Sequence, residues 1–227
     1  MVIKELLLYS NDLDQVRSFY HELLCIPIQY EDSSSIEFKM GYSILKFELR
    51  EEVLKPYHFA MNIPSNMEQE ALEWLSCKTE ILPFMEELII DFTDWNARAI
   101  YCLDFCGNII EFIARRNLKQ FDSGVFDYAK IQCISEIGLA CENIEPIYKM
   151  LKEKCDIPFY YGAKQCFCAV GDELGLFILV DKTKRFWFPS KALAKSENFK
   201  LIMIEKDRKF QVDFNSKGLK IIELYSC

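Results

Sequence analysis

The sequence predicts an α+β fold built from tandem β-α-β-β-β units, and three observations predict it. A strand, a helix and three short strands succeed one another over residues 3–50; the succession restarts at His58, and again at Cys133. A unit of this kind has one bare sheet face that a sister unit must cover, so the repetition is itself a fold signal. With 227 residues, 51% of them hydrophobic, the chain has enough apolar surface for a packed core.

In the first unit Ile3, Glu5, Leu7 and Tyr9 share one face of a strand over 3–9. Asn11 or Asp12 caps the next helix, whose Leu13, Val16, Phe19, Tyr20, Leu23 and Leu24 recur at helical spacing until Pro27. Strands at 27–31, 35–40 and 43–50 follow, separated by Asp32-Ser33-Ser34 and Gly41-Tyr42. The second unit opens with Tyr57 to Ile63. Its large apolar residues Tyr57, Phe59, Met61 and Ile63 pack on a core, while His58, Ala60 and Asn62 turn the other way. Ser65 or Asn66 caps a helix through Ala71, Leu72, Trp74 and Leu75, and strands at 98–104 and 108–114 complete the unit.

Residues 117–132 lack periodicity and read as a linker between a first domain, 1–116, and a second, 133–227. The third unit comprises a strand at 133–141, a helix at 143–155 and strands at 157–161, 165–170 and 174–181. Strands at 199–205, 209–214 and 219–225 form a shortened fourth unit without a helix, which makes the second pair degenerate.

Net charge is −8 with no block of lysine and arginine, which argues against nucleic acid or an anionic membrane as partner. A small-molecule ligand, bound by a monomer or homodimer, fits better. The chain shows no run of about 18 apolar residues and opens directly on a strand, the pattern expected of a cytoplasmic protein. Ten cysteines without a Cys-x-x-Cys pair read as free thiols that behave as small hydrophobes.

The chain has two histidines; His21 falls on a helix, and His58 sits in mid-strand, which points to a metal. Glu5, His58 and Glu136 open their units at equivalent places, and Glu48 and Glu111 each lie between two apolar residues of a closing strand. Glu136 and Glu223 are read as ordinary strand carboxylates, because the third unit closes on Leu176-Phe177-Ile178-Leu179-Val180 without a ligand. Phe186-Trp187-Phe188-Pro189 is read as core packing rather than pocket wall.

Three segments resemble the vicinal oxygen chelate superfamily, the glyoxalase, bleomycin-resistance and extradiol-dioxygenase fold. Asp104-Phe105-Cys106-Gly107-Asn108-Ile109-Ile110-Glu111 is similar to its Asp-Pro-x-Gly-Asn-x-x-Glu ending, with Phe105 for proline. Asn11-Asp12-Leu13 through Leu24 is similar to its Asp-Leu…Phe-Tyr-x-x-x-Leu-Gly helix, with Cys25 for glycine, and His58 to Ile63 to its histidine strand. The resemblance implies that two paired units form an incompletely closed barrel around a divalent ion (Mn, Fe, Zn, Ni or Mg). It implies Glu5, Glu48, His58 and Glu111 as ligands, with a displaced Glu111 or Glu48 as catalytic base; Lys46, on the face of Glu48, is the awkward neighbour. Tyr9, Asn62 and Tyr101 are candidate pocket walls. The implied function is Lewis-acid lyase, isomerase or epimerase chemistry on a vicinal-oxygen substrate. The alternatives are a non-catalytic binding or resistance protein and an extradiol dioxygenase, the last disfavoured because ring cleavage calls for two histidines.

Overall fold

The computed structural model describes residues 1–52, 55–195 and 197–225. The first unit consists of β1 (Val2–Ser10), the short helix α1 (Leu13–Arg17), β2 (Ile28–Glu31), β3 (Ser35–Met40) and β4 (Ser43–Leu49). Asp12 caps α1 by accepting the Gln15 N–H at 2.9 Å, and the helix runs on as π-wound turns over Ser18–Leu23. Cys25, at the place of the family's glycine, takes the left-handed conformation that glycine adopts freely, with φ 61°.

The second unit consists of β5 (His58–Ile63), α2 (Glu68–Ser76), β6 (Ile90–Phe92), β7 (Ala97–Leu103) and β8 (Ile109–Arg115). Ser65 and Asn66 do not cap α2. The Ser65 hydroxyl donates to the Arg115 carbonyl at 2.7 Å and Asn66 bonds the backbone of Asp122, so both latch the segment after β8. That segment is therefore no loose linker: Phe126 is buried with its ring centroid 5.4 Å from that of Trp74.

The third unit consists of β9 (Cys133–Cys141), α3 (Ile144–Cys155), β10 (Phe159–Ala163), β11 (Phe167–Asp172) and β12 (Gly175–Asp181). The fourth is a meander of β13 (Phe199–Glu205), β14 (Arg208–Asn215) and β15 (Gly218–Leu224). Its β13 pairs with β14, whereas β1, β5 and β9 each pair in parallel with the closing strand of their own unit.

The units join edge to edge into two sheets. One has the order β15-β14-β13-β1-β4-β3-β2; the other, a curled half-barrel, has the order β10-β11-β12-β9-β5-β8-β7-β6. The first unit thus pairs with the fourth and the second with the third, whereas the division at 116 and 133 anticipates the first with the second and the third with the fourth. Antiparallel pairing of opening strands, β1 with β13 and β5 with β9, makes both junctions. The main core lies between the sheets with the three helices in it, and β1 and β4 lie against β9. A second apolar cluster lines the inner face of the half-barrel. Ala60, Ala97, Ala99, Ala140 and Ala169 keep that face shallow, which leaves room inside.

The Asp104–Asn108 turn ties the first unit to the second. Buried Asp104 accepts N–H groups from Cys106 and Asn108, the Asn108 side-chain amide, and the Tyr20 hydroxyl from the π-wound turns, at 2.7–2.9 Å. Asn108 Oδ1 in turn accepts the Tyr57 N–H at 2.9 Å, fixing the start of β5, and Gly107 supplies the φ of +82° that the turn needs. Removing this acceptor strands several buried donors. Asp104→Ala is expected to lower unfolding free energy by roughly 3 kcal/mol in a denaturant titration, against less for Asp104→Asn, which keeps an acceptor.

Candidate metal centre

Among the described residues, one group of three His, Cys, Asp or Glu side chains brings potential ligand atoms together: His58, Glu111 and Glu136, within 4.8 Å of one another and all buried. They come from β5, β8 and β9, on the inner face of the half-barrel. Strand register explains the convergence. Ala60, two residues after His58, pairs with Glu111 on one side and Glu136 on the other. The β5–β9 junction relates the second unit to the third by an approximate two-fold that exchanges His58 with Glu136 and Ala60 with Gly138. Ile178, opposite Gly138, then stands where Glu111 stands in the second unit. Three of four equivalent positions carry potential ligands and the fourth carries an isoleucine.

The same register corrects the expected ligand set. Two residues after Glu5 comes Leu7, which pairs with Lys46 on β4 and Lys200 on β13. The position matching Glu111 is therefore Lys46, two residues before Glu48, and the position matching Glu136 is Lys200. Glu5 and Glu48 lie in the other sheet, away from His58, and Lys46 pairs with Glu37 at 3.2 Å and Glu48 at 3.6 Å. One carboxylate and two ammonium groups at these places do not make a cation site. Glu136 was legible as the third equivalent opening residue, and Ile178 in the closing strand masked it.

The histidine presents one free ring nitrogen to the site. Its Nδ1–H donates to the Ile109 carbonyl at 3.3 Å, so Nε2 carries the lone pair into the site, 3.6 Å from Glu111 Oε2. Burial pushes its pKa down to about 4, so it is neutral at neutral pH. Burial, then the charge of Glu136, raises the Glu111 carboxyl well above its ordinary value, with Arg115 working the other way; the Tyr101 hydroxyl also faces it. Arg115, itself buried, ion-pairs with Glu136 through Nη2 and donates from Nε to Asn62 Oδ1 at 3.1 Å. A neutral imidazole beside two buried carboxylates suits a hard or borderline divalent ion, which relieves their repulsion.

Above these groups opens a pocket of about 290 Å³ walled by aromatic rings in contact one with the next. Ring centroids run from Trp187 to His58 at 5.6 Å, to Tyr101 at 6.2 Å and to Phe188 at 5.6 Å. The belt continues through Phe92 at 5.9 Å and Trp95 at 6.1 Å to Phe167 at 6.5 Å. Ile178 and Val180 close it. Trp187, from the connection between the third and fourth units, sits flat enough on β9 that a Cβ at Gly138 would lie 2.6 Å from its Cη2. The aromatic segment read as core is thus pocket wall as well. Of the expected walls, Tyr101 lines the pocket. Asn62 lies behind it holding Arg115, and Tyr9 is in the other sheet, donating its N–H to the Tyr57 hydroxyl at 3.2 Å. Glu223 pairs with Arg208 at the surface.

By this two-fold equivalence, Ile178→Glu completes a set of four potential ligands. It is expected to tighten Zn(II) or Mn(II) binding at least about tenfold in a chelator competition and to lower the melting temperature of the metal-free protein, because a third buried carboxylate then lacks a cation.

No protein-family model matches the chain, and no curated protein matches it in sequence. Solved structures do match in fold. A Bacillus subtilis subsp. subtilis str. 168 protein provisionally named a dioxygenase aligns over 98% of this chain and 84% of its own, with a TM-score of 0.62 and 11% identity. A glyoxalase/bleomycin resistance protein/dioxygenase from Nocardioides aligns over 55% of this chain and 87% of its own (TM-score 0.42, 22% identity). A fosfomycin resistance protein of Listeria monocytogenes, solved with Mn(II) and a dihydroxypropylphosphonic acid, aligns over 51% and 90% (TM-score 0.40, 18% identity). With its paired units and half-barrel, the chain has the fold of the vicinal oxygen chelate superfamily.

Proposed function

We propose that the protein is a metal-dependent enzyme acting on a small substrate with adjacent oxygens. The observation that carries this reading is the convergence of His58, Glu111 and Glu136 at the floor of an aromatic pocket. His58 Nε2 and the two carboxylates would hold the ion. When bound, a divalent ion polarises two neighbouring substrate oxygens and stabilises the anion formed by proton loss beside them.

The chain's own residues supply the rest. Arg115 occupies one edge of Glu136 and keeps that carboxylate in place, opposing the rise that burial gives its pKa, so Glu136 would be the fixed ligand. Glu111, the carboxylate without an arginine partner, would leave the ion to take a proton from the substrate and return it, with the Tyr101 hydroxyl facing its carboxylate. The aromatic belt gives the proton in transit an apolar surround. One histidine with two carboxylates departs from the two-histidine set of oxygen-dependent ring cleavage, which favours lyase, isomerase or epimerase chemistry. A second reading, a metal-free binding protein, draws on Arg115: its guanidinium already offsets one buried carboxylate.

Elemental analysis by mass spectrometry after dialysis against mixed divalent ions separates the two. Near-stoichiometric metal is expected in the wild type, in Glu5→Gln and in Glu48→Gln, with at least about a tenfold loss in His58→Ala and Glu136→Gln. Metal in none of the proteins would leave the binding reading.

Metal uptake also carries a sign with pH. Because the Glu111 pKa is raised, the ion must displace a proton there. Apparent affinity is therefore expected to climb as pH rises toward the raised value and to level off above it, with the slope reduced in Glu111→Gln, where Glu136 alone still exchanges a proton. A chelator competition across that range reads it directly, and a flat profile in the wild type would contradict the assignment.

A further inference from the structure

The aromatic belt does not end at the mouth of the pocket. Phe186 and Phe188 line the space above His58, yet they are 55% and 36% exposed, so each ring is part wall and part surface. The Phe188 ring meets that of Phe84 at 4.8 Å, and Phe84 leads to Met85, which is 82% exposed. Phe186 pairs across its own loop with Leu193, which is half exposed. One apolar path thus runs from His58 at the floor, through Tyr101 and Phe188, out to the protein surface.

The rim is held outward by a tight hairpin. Phe84 and Glu87 exchange both N–H···O bonds, at 3.0 and 2.9 Å, around the two-residue turn Met85-Glu86. Both turn residues take positive φ, 49° and 71°. Asn-Gly adopts such a turn at little cost. A methionine at its tip is unfavourable twice, in backbone conformation and in apolar surface left in water, and a bound apolar group relieves the second.

Charge and volume narrow the choice of occupant. Glu86 and Glu87 stand on the hairpin, and Arg185 is the single lysine or arginine lining the pocket. Acids at the rim repel an anionic lipid surface or an acidic peptide. The pocket itself, about 290 Å³, lies at the bottom of the range of ligand sites, about 300–1,000 Å³, so a chain of more than a few methylenes entering head first must emerge onto the rim.

Resting on the reading of the floor as the seat of the reacting oxygens, we infer that the substrate is an amphiphile. Its head carries the adjacent oxygens and the C–H from which Glu111 would take a proton. A single uncharged apolar tail fills the belt and leaves past Phe186 and Phe188 onto Phe84 and Met85. The rim residues select for the length of the tail, and the floor selects for the head.

The test follows binding of 1,2-hexanediol, 1,2-octanediol and 1,2-decanediol to the full chain by calorimetry. These probes are uncharged, so they read the path in the metal-free protein as well as in the Mn(II)-loaded one. Each added pair of methylenes is expected to tighten binding at least about tenfold, at one site per chain. The double variant Phe84→Ser, Met85→Ser should lose most of the step from the octanediol to the decanediol, with melting temperature and Mn(II) content as in the wild type.

Affinities that do not change with chain length would overturn the inference, as would an undiminished final step in the double variant. A wild-type dimer that the double variant takes apart would also overturn it, because a second copy would then cover the rim. Failure of the enzyme reading looks different. There the protein takes up no Mn(II), yet the metal-free chain still binds the diols in order of length.

Discussion

The antiparallel junction of β5 with β9 is the constraint on which the site depends. Opening strands have one free edge each, because their other edge is taken by the closing strand of the same unit. Joining two such edges continues the sheet, and the register sets Ala60 against Glu136. That pairing places Glu136 across Ala60 from Glu111, and the absence of a large side chain at Ala60 leaves the gap that three ligand atoms share. Side chains alternate faces along a strand, so a slip of one residue would send Glu136 into the core between the sheets.

The other junction, β1 with β13, obeys the same geometry and makes no site. The difference lies in charge rather than in backbone. Lys46 and Lys200 stand where the half-barrel has Glu111 and Glu136, and the fourth unit has no parallel closing strand to offer a further ligand. The first sheet thus supplies a second wall to the central core without competing for a cation. Its face turned away from that core bears surface ion pairs such as those of Lys46 with Glu37 and Glu48, and pairs this accessible to solvent contribute little to stability.

Much of the fold was legible because its signals are local. Alternation along His58 to Ile63, the cap at Asp12 and the Asp104–Asn108 turn each declare themselves within a few residues, and the structure gives each a partner: Gln15 for the cap, Tyr20 and Tyr57 for the turn. The order in which units pair is not local. Any free opening-strand edge can accept any other, and the choice follows from packing between the sheets, as where the Ser43 hydroxyl bridges the Ile3 carbonyl and the Ile134 N–H. The ligand set inherited that ambiguity. His58 and Glu111 belong to one unit and stayed together, while Glu5 and Glu136 could exchange roles only when the pairing was known. The Glu48 assignment missed for a smaller reason: two glutamates flanked by apolar residues look alike in sequence although their registers differ by two.

Arg115 is the residue that makes the arrangement physically tolerable. Two carboxylates and an imidazole that burial holds neutral cannot be closed into an apolar barrel without a compensating charge, and the ion that would supply it must arrive after folding. The guanidinium gives Glu136 a permanent partner while leaving its own Nη1 free of any protein acceptor. Glu111 has no such partner, and its pKa is raised well above its ordinary value. Burial raises both carboxyls, and the two glutamates, chemically identical, are separated into one whose rise an ion pair with the arginine opposes and one without that ion pair. That difference is set by which of them faces an arginine, and it exists before a ligand enters the pocket.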